Sequence, residues 1–147
     1  MINSRNIFDL HPRVQMMATK FMGACLQAGI EVIIISTERD VEFQNTIYAI
    51  GRTVKGANPT AKKPMGAIVT NAQGGQSFHN YQAAFDFMVL IGGKPQWNDI
   101  RLFTKAGEIG ESVGLEWAGR WKSFKEYGHL QFTGGLTLKD FKEGKTL

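Results

Sequence analysis

The sequence has 147 residues, of which 43% are hydrophobic and 20% are charged, and its formal net charge at pH 7 is +4. This composition excludes an intrinsically disordered chain, and the length fits one domain, residues 1–147, with a single core. The lysines and arginines are scattered along the chain, so the charge is not typical of a nucleic-acid module and indicates a solvated surface.

The first residues, MINSRNIFDLHP, lack the basic, apolar and small-residue segments of a secretory signal. No apolar run approaches the roughly 20 residues of a membrane span. We therefore expect a soluble protein that is made in the cytoplasm and has no stable membrane association. Cys25, the only cysteine, lies among apolar residues at helical spacing, which indicates a buried small side chain.

The first third of the chain predicts a helix, a strand and a second helix. Pro12 fits the first position of a helix whose apolar residues recur until Gly29. The β-branched segment 31–37 predicts a central buried strand. Asp40 can then cap a helix that ends at Gly51.

Residues 52–64 are rich in Gly, Asn, Pro and Lys without an apolar period, which predicts an exposed loop. The next predicted elements are a short strand at 67–70, a buried strand at 85–91 and a helix that is capped by Asn98 and ends at Gly114. A last strand at 130–132 and a polar tail or short turn at 140–145 follow. This order predicts an α+β fold in which helices pack on a small, mainly antiparallel sheet.

A carboxylate lies inside the second apolar run. An ionised carboxylate costs several kcal/mol to bury unless it is paired or bound to metal, so Asp86, between Phe85 and Phe87, requires a partner or points to solvent. His79 precedes it after a Gly-rich turn, and His129 can supply a third ligand. Two neutral imidazoles and one carboxylate suit zinc and leave a fourth position for water, in a cleft of the domain.

Glu126 stands shortly before His129, and Gly128 between them permits a bend that brings both side chains to one cleft. In a catalytic zinc site a base must take the proton of the activated water, and Glu126 is the candidate. Each residue also has an ordinary interpretation, as a structural or exposed histidine or as a solvated glutamate. His11, which precedes Pro12 at a helix start, is assigned no catalytic role.

Residues 77–87 read SFHNYQAAFDF, and residues 114–124 and 126–131 read GLEWAGRWKSF and EYGHLQ. The first segment resembles the Ser-x-His-x-x-x-x-x-x-Asp signature of the zinc D-Ala-D-Ala carboxypeptidase and L-alanyl-D-glutamate endopeptidase family. The others are similar to the C-terminal block of the family's phage endolysins and bacterial cell-wall hydrolases. Residues 51–53 and 69–70 agree as well, so the resemblance runs from about residue 30 to residue 132.

The resemblance implies a set of roles: zinc ligands His79, Asp86 and His129, general base and later proton donor Glu126, and Arg39 as a cation beside the developing oxyanion. An exposed arginine at a strand end is the alternative for Arg39. Ser77 and Gln44 match family positions near the substrate, although helix capping and a solvated helix face would also explain them.

Two positions depart from the family pattern. Gln82 stands where the family commonly has glycine, and Glu38 stands where an aromatic residue is frequent. Neither departure removes a metal ligand. Gln82 affects the turn between His79 and Asp86.

The resemblance further implies hydrolysis of the peptidoglycan stem peptide, at the L-alanyl-D-glutamate bond, by zinc-assisted attack of water. A small basic chain without a signal looks like a phage endolysin, a monomer made in the host cytoplasm that acts on the cell wall after release during host lysis. The alternatives are a D,D- or L,D-carboxypeptidase of cell-wall remodelling, a noncatalytic peptidoglycan-binding module that does not need Glu126, and a salt-sensitive nucleic-acid binder that does not need His79.

Overall fold

Five strands form one sheet in the computed structural model, which describes residues 1–147. The strands are β1 (Glu31–Ser36), β2 (Ala84–Ile91), β3 (Lys94–Pro95), β4 (Glu116–Trp117) and β5 (His129–Gln131). Their order across the sheet is β1, β2, β5, β4, and β3 pairs with the far end of β2. All of these strand pairs are antiparallel, which confirms the predicted sheet.

The helices are α1 (Pro12–Gln27), α2 (Val41–Ala49), α3 (Ile100–Ser112) and α4 (Leu138–Lys142), with short 3-10 helices at Ile7–Asp9, Phe78–Tyr81 and Ala118–Arg120. Asp40 caps α2 as predicted, since its Oδ1 accepts from the Phe43 N–H at 2.8 Å. The cap of α3 is Asp99 rather than Asn98, because the Asp99 carboxylate accepts from the Leu102 N–H. None of these helices combines the length and the apolar character needed to cross a membrane.

Aromatic side chains fill the space between the sheet and helices α1 and α3. The rings of Phe85 and Phe87 in β2 have centroids 5.9 and 5.1 Å from that of Phe21 in α1. Phe103 of α3 lies 5.8 Å from Phe87. Because side chains alternate across a strand, Asp86 between the two phenylalanines faces the other side of the sheet. Packing of the core therefore directs this carboxylate away from the helices.

Two glycines let α3 lie close to the sheet. A Cβ atom at Gly107 would overlap the ring of Trp117, and one at Gly110 would come within 2.6 Å of the Leu130 side chain. Any larger residue would push α3 away from β4 and β5. Glycine is unfavourable inside a helix, so close packing offsets its low helix propensity here.

The strand predicted at 67–70 is wrong, whereas the predicted loop at 52–64 contains no helix or strand. The Ala67 N–H donates to the Ala57 carbonyl at 2.7 Å, and the Thr70 carbonyl accepts from Nη1 of Arg52 at 3.0 Å. Residues 68–69 are β-branched and apolar, which suggested a strand, but both are exposed. This segment is held by individual hydrogen bonds to the loop and to the Arg52 side chain, and not by the hydrogen-bond ladder of a strand.

The polar tail or short turn predicted at 140–145 is also wrong, because the first half of this segment belongs to α4, which ends at Lys142. Oγ1 of Thr137 accepts from the Asp140 N–H at 3.1 Å, and the Asp140 carboxylate accepts from the Thr137 N–H at 2.9 Å. This reciprocal capping box begins the helix. Phe141 is buried, and its ring stacks on Tyr81 with the centroids 5.2 Å apart. The C-terminal helix thereby supports the 3-10 helix at 78–81.

Cys25 has no exposed surface, which confirms that it is a buried small side chain. Burial raises the pKa of its thiol to about 11. Because the thiolate is the reactive form, we expect the native protein to react far more slowly with an aromatic disulfide reagent than the denatured protein does. Absorbance of the released thiolate at mildly alkaline pH measures both rates. Fast stoichiometric reaction of the native protein would contradict this expectation.

Candidate metal centre

Three potential metal ligands converge at one end of the sheet, on the face opposite the aromatic core. Asp86 in β2 and His129 in β5 are direct partners in the strand register, so strand pairing alone brings their side chains together. His79 comes from the 3-10 helix that ends shortly before β2. The structure thus brings together the residues that the sequence pointed to as a ligand set.

The ligand atoms are close enough to share one ion. Nε2 of His79 lies 3.2 Å from Oδ1 of Asp86, and Nδ1 of His129 lies 3.1 Å from the same oxygen. Each of the three residues offers one ligand atom that lies within 4.8 Å of the other two. Ligands held about 2.1 Å from one tetrahedral ion are roughly 3.4 Å apart, which is close to this spacing.

The ring of His79 has a fixed tautomer. Its Nδ1 lies 2.7 Å from the carbonyl oxygen of Thr37, just after β1. A carbonyl can only accept a hydrogen bond, so Nδ1 carries the hydrogen and Nε2 presents a lone pair to Asp86. Metal-binding histidines are commonly oriented in this way. Thr37 contributes only its backbone, so its side chain gave no sequence signal for this role.

Asp86 and His129 shift each other's pKa. Burial alone would raise the pKa of Asp86, but the positive charge and hydrogen bonds that the His79 and His129 rings supply when protonated hold it well below its usual range. Burial alone would lower the pKa of His129, yet the hydrogen bond and charge of Asp86 raise it above its ordinary value. The carboxylate is therefore ionised at neutral pH and provides the negative charge that favours a divalent cation.

This donor set fits a metal. With the His79 hydrogen on Nδ1, the lone pair of Nε2 faces a carboxylate oxygen at 3.2 Å, and two such acceptors repel unless a proton or a cation lies between them. Two imidazole nitrogens and one carboxylate oxygen suit a divalent ion of the zinc type. When bound, such an ion supplies a Lewis acid that lowers the pKa of water and polarises a carbonyl.

Arg39 binds the other oxygen of Asp86. Its Nη2 donates to Oδ2 at 2.7 Å, and its Nε donates to Oγ of Ser36 at 3.0 Å. The arginine side chain is only 16% exposed, so the alternative of an exposed arginine at a strand end does not hold. Oδ1 stays available to a metal while Oδ2 is paired. Arg39 also lines the cleft, so it can reach a substrate from this position.

The centre opens into a cleft of about 1050 Å³. Two chain segments contribute most of its lining, one within 69–79 and the other within 121–129. This volume lies just above the range for small-ligand pockets, roughly 300–1,000 Å³, and can accept several residues of a peptide.

Glu126 borders the centre from the second of these segments. Its Oε2 lies 3.4 Å from Nδ1 of His129, and its side chain is 51% exposed. A general base must reach the attacking water and later the leaving group, and a carboxylate beside a ligand yet open to the cleft meets both needs. Its role as the base stays a prediction that this position permits.

Ser77 and Gln44 differ in their access to the cleft. Ser77 lines it and also forms the capping box of the 3-10 helix. Gln44 is fully buried, and its Nε2 donates to the Ala72 carbonyl at 2.9 Å and to Oγ1 of Thr70 at 3.4 Å. A direct substrate contact does not fit this position. Gln44 instead braces the segment that forms part of the cleft wall.

Asn80 also holds the site together, although nothing in the sequence singled it out as functional. Its Nδ2 donates to the Arg39 carbonyl at 2.8 Å, and its Oδ1 accepts from the N–H groups of Gly75 at 3.0 Å and Ser77 at 3.3 Å. The side chain thus ties the Gly-rich turn and Arg39 to the helix that carries His79. The Ser-x-x-Asn spacing at 77–80 was the available signal.

Gln82, which stands where the family commonly has glycine, ends this 3-10 helix in the left-handed region, with φ 61° and ψ 23°. Glycine adopts this conformation without the Cβ penalty. Nε2 of Gln82 donates to Oε1 of Glu38 at 3.2 Å. The two departures from the family pattern are therefore in contact, and the turn before Asp86 keeps a glycine-like backbone.

We expect Gln82→Gly to be more stable than Gln82→Ala by about 1 kcal/mol, because glycine relieves the left-handed strain. Both variants lose the hydrogen bond to Glu38, so their difference isolates the backbone contribution. Urea unfolding of the metal-free proteins measures both free energies. Equal stabilities would mean that the left-handed backbone at position 82 carries no cost.

Residues 70–132 match a family model described as D-alanyl-D-alanine carboxypeptidase, and this segment includes the three candidate ligands and Glu126. The chain is also 36% identical over 138 residues to the peptidoglycan L-alanyl-D-glutamate endopeptidase CwlK of Bacillus subtilis (strain 168). This aligned region covers 84% of this chain and 73% of CwlK.

The chain belongs to this family of peptidases. Membership confirms the predicted resemblance and makes the chain an enzyme of the peptidase class. Two solved structures share the fold of this peptidase at 17% identity. The Serratia marcescens L-Ala D-Glu endopeptidase ChiX has a TM-score of 0.64 and covers 95% of this chain and 92% of its own. The LD-carboxypeptidase LdcB has a TM-score of 0.61, and the match covers 92% of this chain and 64% of LdcB.

Proposed function

We propose that this peptidase is a zinc-dependent endopeptidase that hydrolyses the L-alanyl-D-glutamate bond of peptidoglycan stem peptides. The observation that carries the proposal is the 36% identity to CwlK, a relative whose name gives this bond. The arrangement of His79, Asp86 and His129 beside Glu126 supports it, since these are the groups that metal-assisted hydrolysis requires.

Zinc is the proposed ion because of the ligand types. Two imidazole nitrogens and one carboxylate oxygen are a frequent catalytic zinc set with an open fourth position. Calcium and magnesium prefer sites built from oxygen ligands alone. The fixed lone pair on Nε2 of His79 adds to this preference, because a nitrogen donor is already oriented toward the centre.

In the proposed reaction, Glu126 takes a proton from the attacking water as oxygen bonds to the peptide carbonyl carbon. The C–N bond then breaks, and Glu126 returns the proton to the leaving amine. The guanidinium of Arg39, held in place by Asp86 and Ser36, stabilises negative charge that grows on the carbonyl oxygen. The products are a new carboxylate and a new amino terminus.

A D,D- or L,D-carboxypeptidase is the second candidate, because the matching family model is described as a D-alanyl-D-alanine carboxypeptidase. The two candidates share the centre and differ in the bond cut. A carboxypeptidase releases one terminal amino acid, whereas the endopeptidase separates the stem peptide from its first alanine. A noncatalytic peptidoglycan-binding module would release neither product.

We further propose that the chain is a phage endolysin, a monomer that is made in the host cytoplasm and acts on the wall after release. Its net charge of +4 supports this, because positive charge favours approach to an anionic wall. Producing the protein inside a bacterium, with and without an agent that opens the inner membrane, tests the role. Lysis only in the opened cells is expected, and intact opened cells would contradict the proposal.

Purified peptidoglycan treated with the zinc-loaded protein tests the reaction itself. We expect new amino termini to appear, with fragments whose masses identify cleavage after the first alanine, and we expect a chelator to abolish the release. Adding zinc back should restore it, whereas magnesium should not. Release of single D-alanine would support the carboxypeptidase, and binding without any cleavage would overturn the enzyme mechanism proposed here.

A further inference from the structure

A chain of hydrogen bonds runs outward from His129 through Gln131 to Glu116. Nε2 of His129 lies 2.8 Å from Oε1 of Gln131, and Nε2 of Gln131 donates to Oε2 of Glu116 at 3.1 Å. Gln131 is 3% exposed, and it pairs directly with Glu116 in the register of β4 and β5. The sheet itself therefore fixes the partners of this chain of bonds.

The carboxylate of Glu116, at the outer end of this series of hydrogen bonds, determines which group donates in each of them. A carboxylate at neutral pH can only accept, so Glu116 requires Gln131 to turn its NH₂ group outward. The amide oxygen of Gln131 then faces His129 and can only accept. The hydrogen of the neutral His129 ring must therefore lie on Nε2, which leaves the lone pair of Nδ1 facing Asp86.

Glu116 holds a second group as well. Its Oε1 accepts from the indole Nε1 of Trp121 at 3.3 Å, and the Trp121 ring centroid lies 5.5 Å from that of His129. Trp121 lines the cleft. One exposed carboxylate thus restrains two side chains that lie next to His129.

We propose that Glu116 and Gln131 are positioning residues that hold His129 in the tautomer with its hydrogen on Nε2 and Nδ1 free for the metal. The inference rests on the proposed metal-binding function of His129. Without Glu116, the Gln131 amide is free to turn and offer its NH₂ group to Nε2. That arrangement favours the opposite tautomer and places a hydrogen on the nitrogen that must bind the ion.

Zinc affinity, measured by competition with a chromophoric chelator, tests this proposal without reference to activity. We expect Glu116→Ala and Gln131→Met each to weaken zinc binding by about 10- to 100-fold, the range found for partners that orient a metal ligand. Glu31→Ala is the matched control, because Glu31 is an exposed strand carboxylate at the opposite end of the sheet. Its zinc affinity should equal that of the wild type.

An exchange of the two residues gives a sharper test. In the double variant Glu116→Gln with Gln131→Glu, the outer amide donates to the inner carboxylate, which still accepts from Nε2 of His129. We expect zinc affinity within a few-fold of wild type, although both residues have changed. Nitrogen chemical shifts of the His129 ring in the zinc-loaded proteins should show Nδ1 as the bound nitrogen in the wild type and in the exchanged variant.

Trp121→Phe distinguishes the two hydrogen bonds that Glu116 accepts, one from Trp121 and one from Gln131. It removes the indole N–H and keeps an aromatic ring, so zinc affinity should not change if the hydrogen bond from Gln131 carries the effect. Unchanged zinc affinity in Glu116→Ala would overturn the positioning role while leaving the metal centre in place. A wild-type protein that binds no zinc would instead refute the proposed function. Because Glu116 is exposed, its variant should fold even if Gln131→Met does not.

Discussion

Replacing Glu126 by glutamine is expected to slow peptide hydrolysis by about 10²- to 10⁴-fold, the range attributed to general acid–base catalysis. Glutamine keeps the shape of the side chain and cannot take a proton from water. Because Glu126 approaches His129 from outside the ligand set, the variant should still bind zinc. Initial rates on purified peptidoglycan, together with the zinc content of each protein, measure both properties.

Glu143→Gln is a suitable control for this experiment, since Glu143 is an exposed carboxylate just after α4. Its rate should match the wild type. A Glu126→Gln protein with full zinc content and a wild-type rate would show that another group takes the proton. A variant that also loses zinc would instead place Glu126 among the ligands.

Replacing Asp86 by asparagine should weaken zinc binding by more than the roughly 10- to 100-fold expected for a partner that only orients a ligand. The change also removes the carboxylate charge next to Arg39, His79 and His129. Breaking a buried ion pair by neutralising one partner costs about 3–5 kcal/mol. We therefore expect the metal-free variant to be less stable than the metal-free wild type by an amount of this order.

Urea unfolding without metal and zinc competition at one pH measure the two effects of Asp86→Asn separately. Glu31→Gln removes one carboxylate charge at the other end of the sheet and should change neither quantity. If the variant keeps wild-type stability without metal, the pair with Arg39 contributes little. If it also keeps zinc, Asp86 is not a ligand.

Local patterns predicted the main elements of the fold. Apolar periodicity identified α1, β1, α2 and β2, and the antiparallel sheet followed from their order. The short strands β3 and β4 carry too few residues for a pattern. Tertiary contacts account for the remaining differences between the predicted and the observed elements. Phe141 is buried by stacking on Tyr81, and residues 68–69 pair with no strand.

The candidate site could be predicted in its residue types but not in its connections. The motif spacing pointed to His79, Asp86 and His129, and the register that sets Asp86 opposite His129 required the folded sheet. Contacts between distant segments could not be predicted from the sequence. Examples are the hydrogen bond from Arg39 to Asp86 and the full burial of Gln44. Such contacts depend on the relative placement of elements, which local propensity does not encode.

The bond between Gln82 and Glu38 makes these two positions epistatic. Contacting residues commonly show non-additive energies of about 0.5–3 kcal/mol, so the effect of a change at one depends on the other. A consensus redesign that restored glycine at position 82 alone would leave Glu38 half-buried without this partner. The two positions should therefore be mutated together in any library built from the family's sequence statistics.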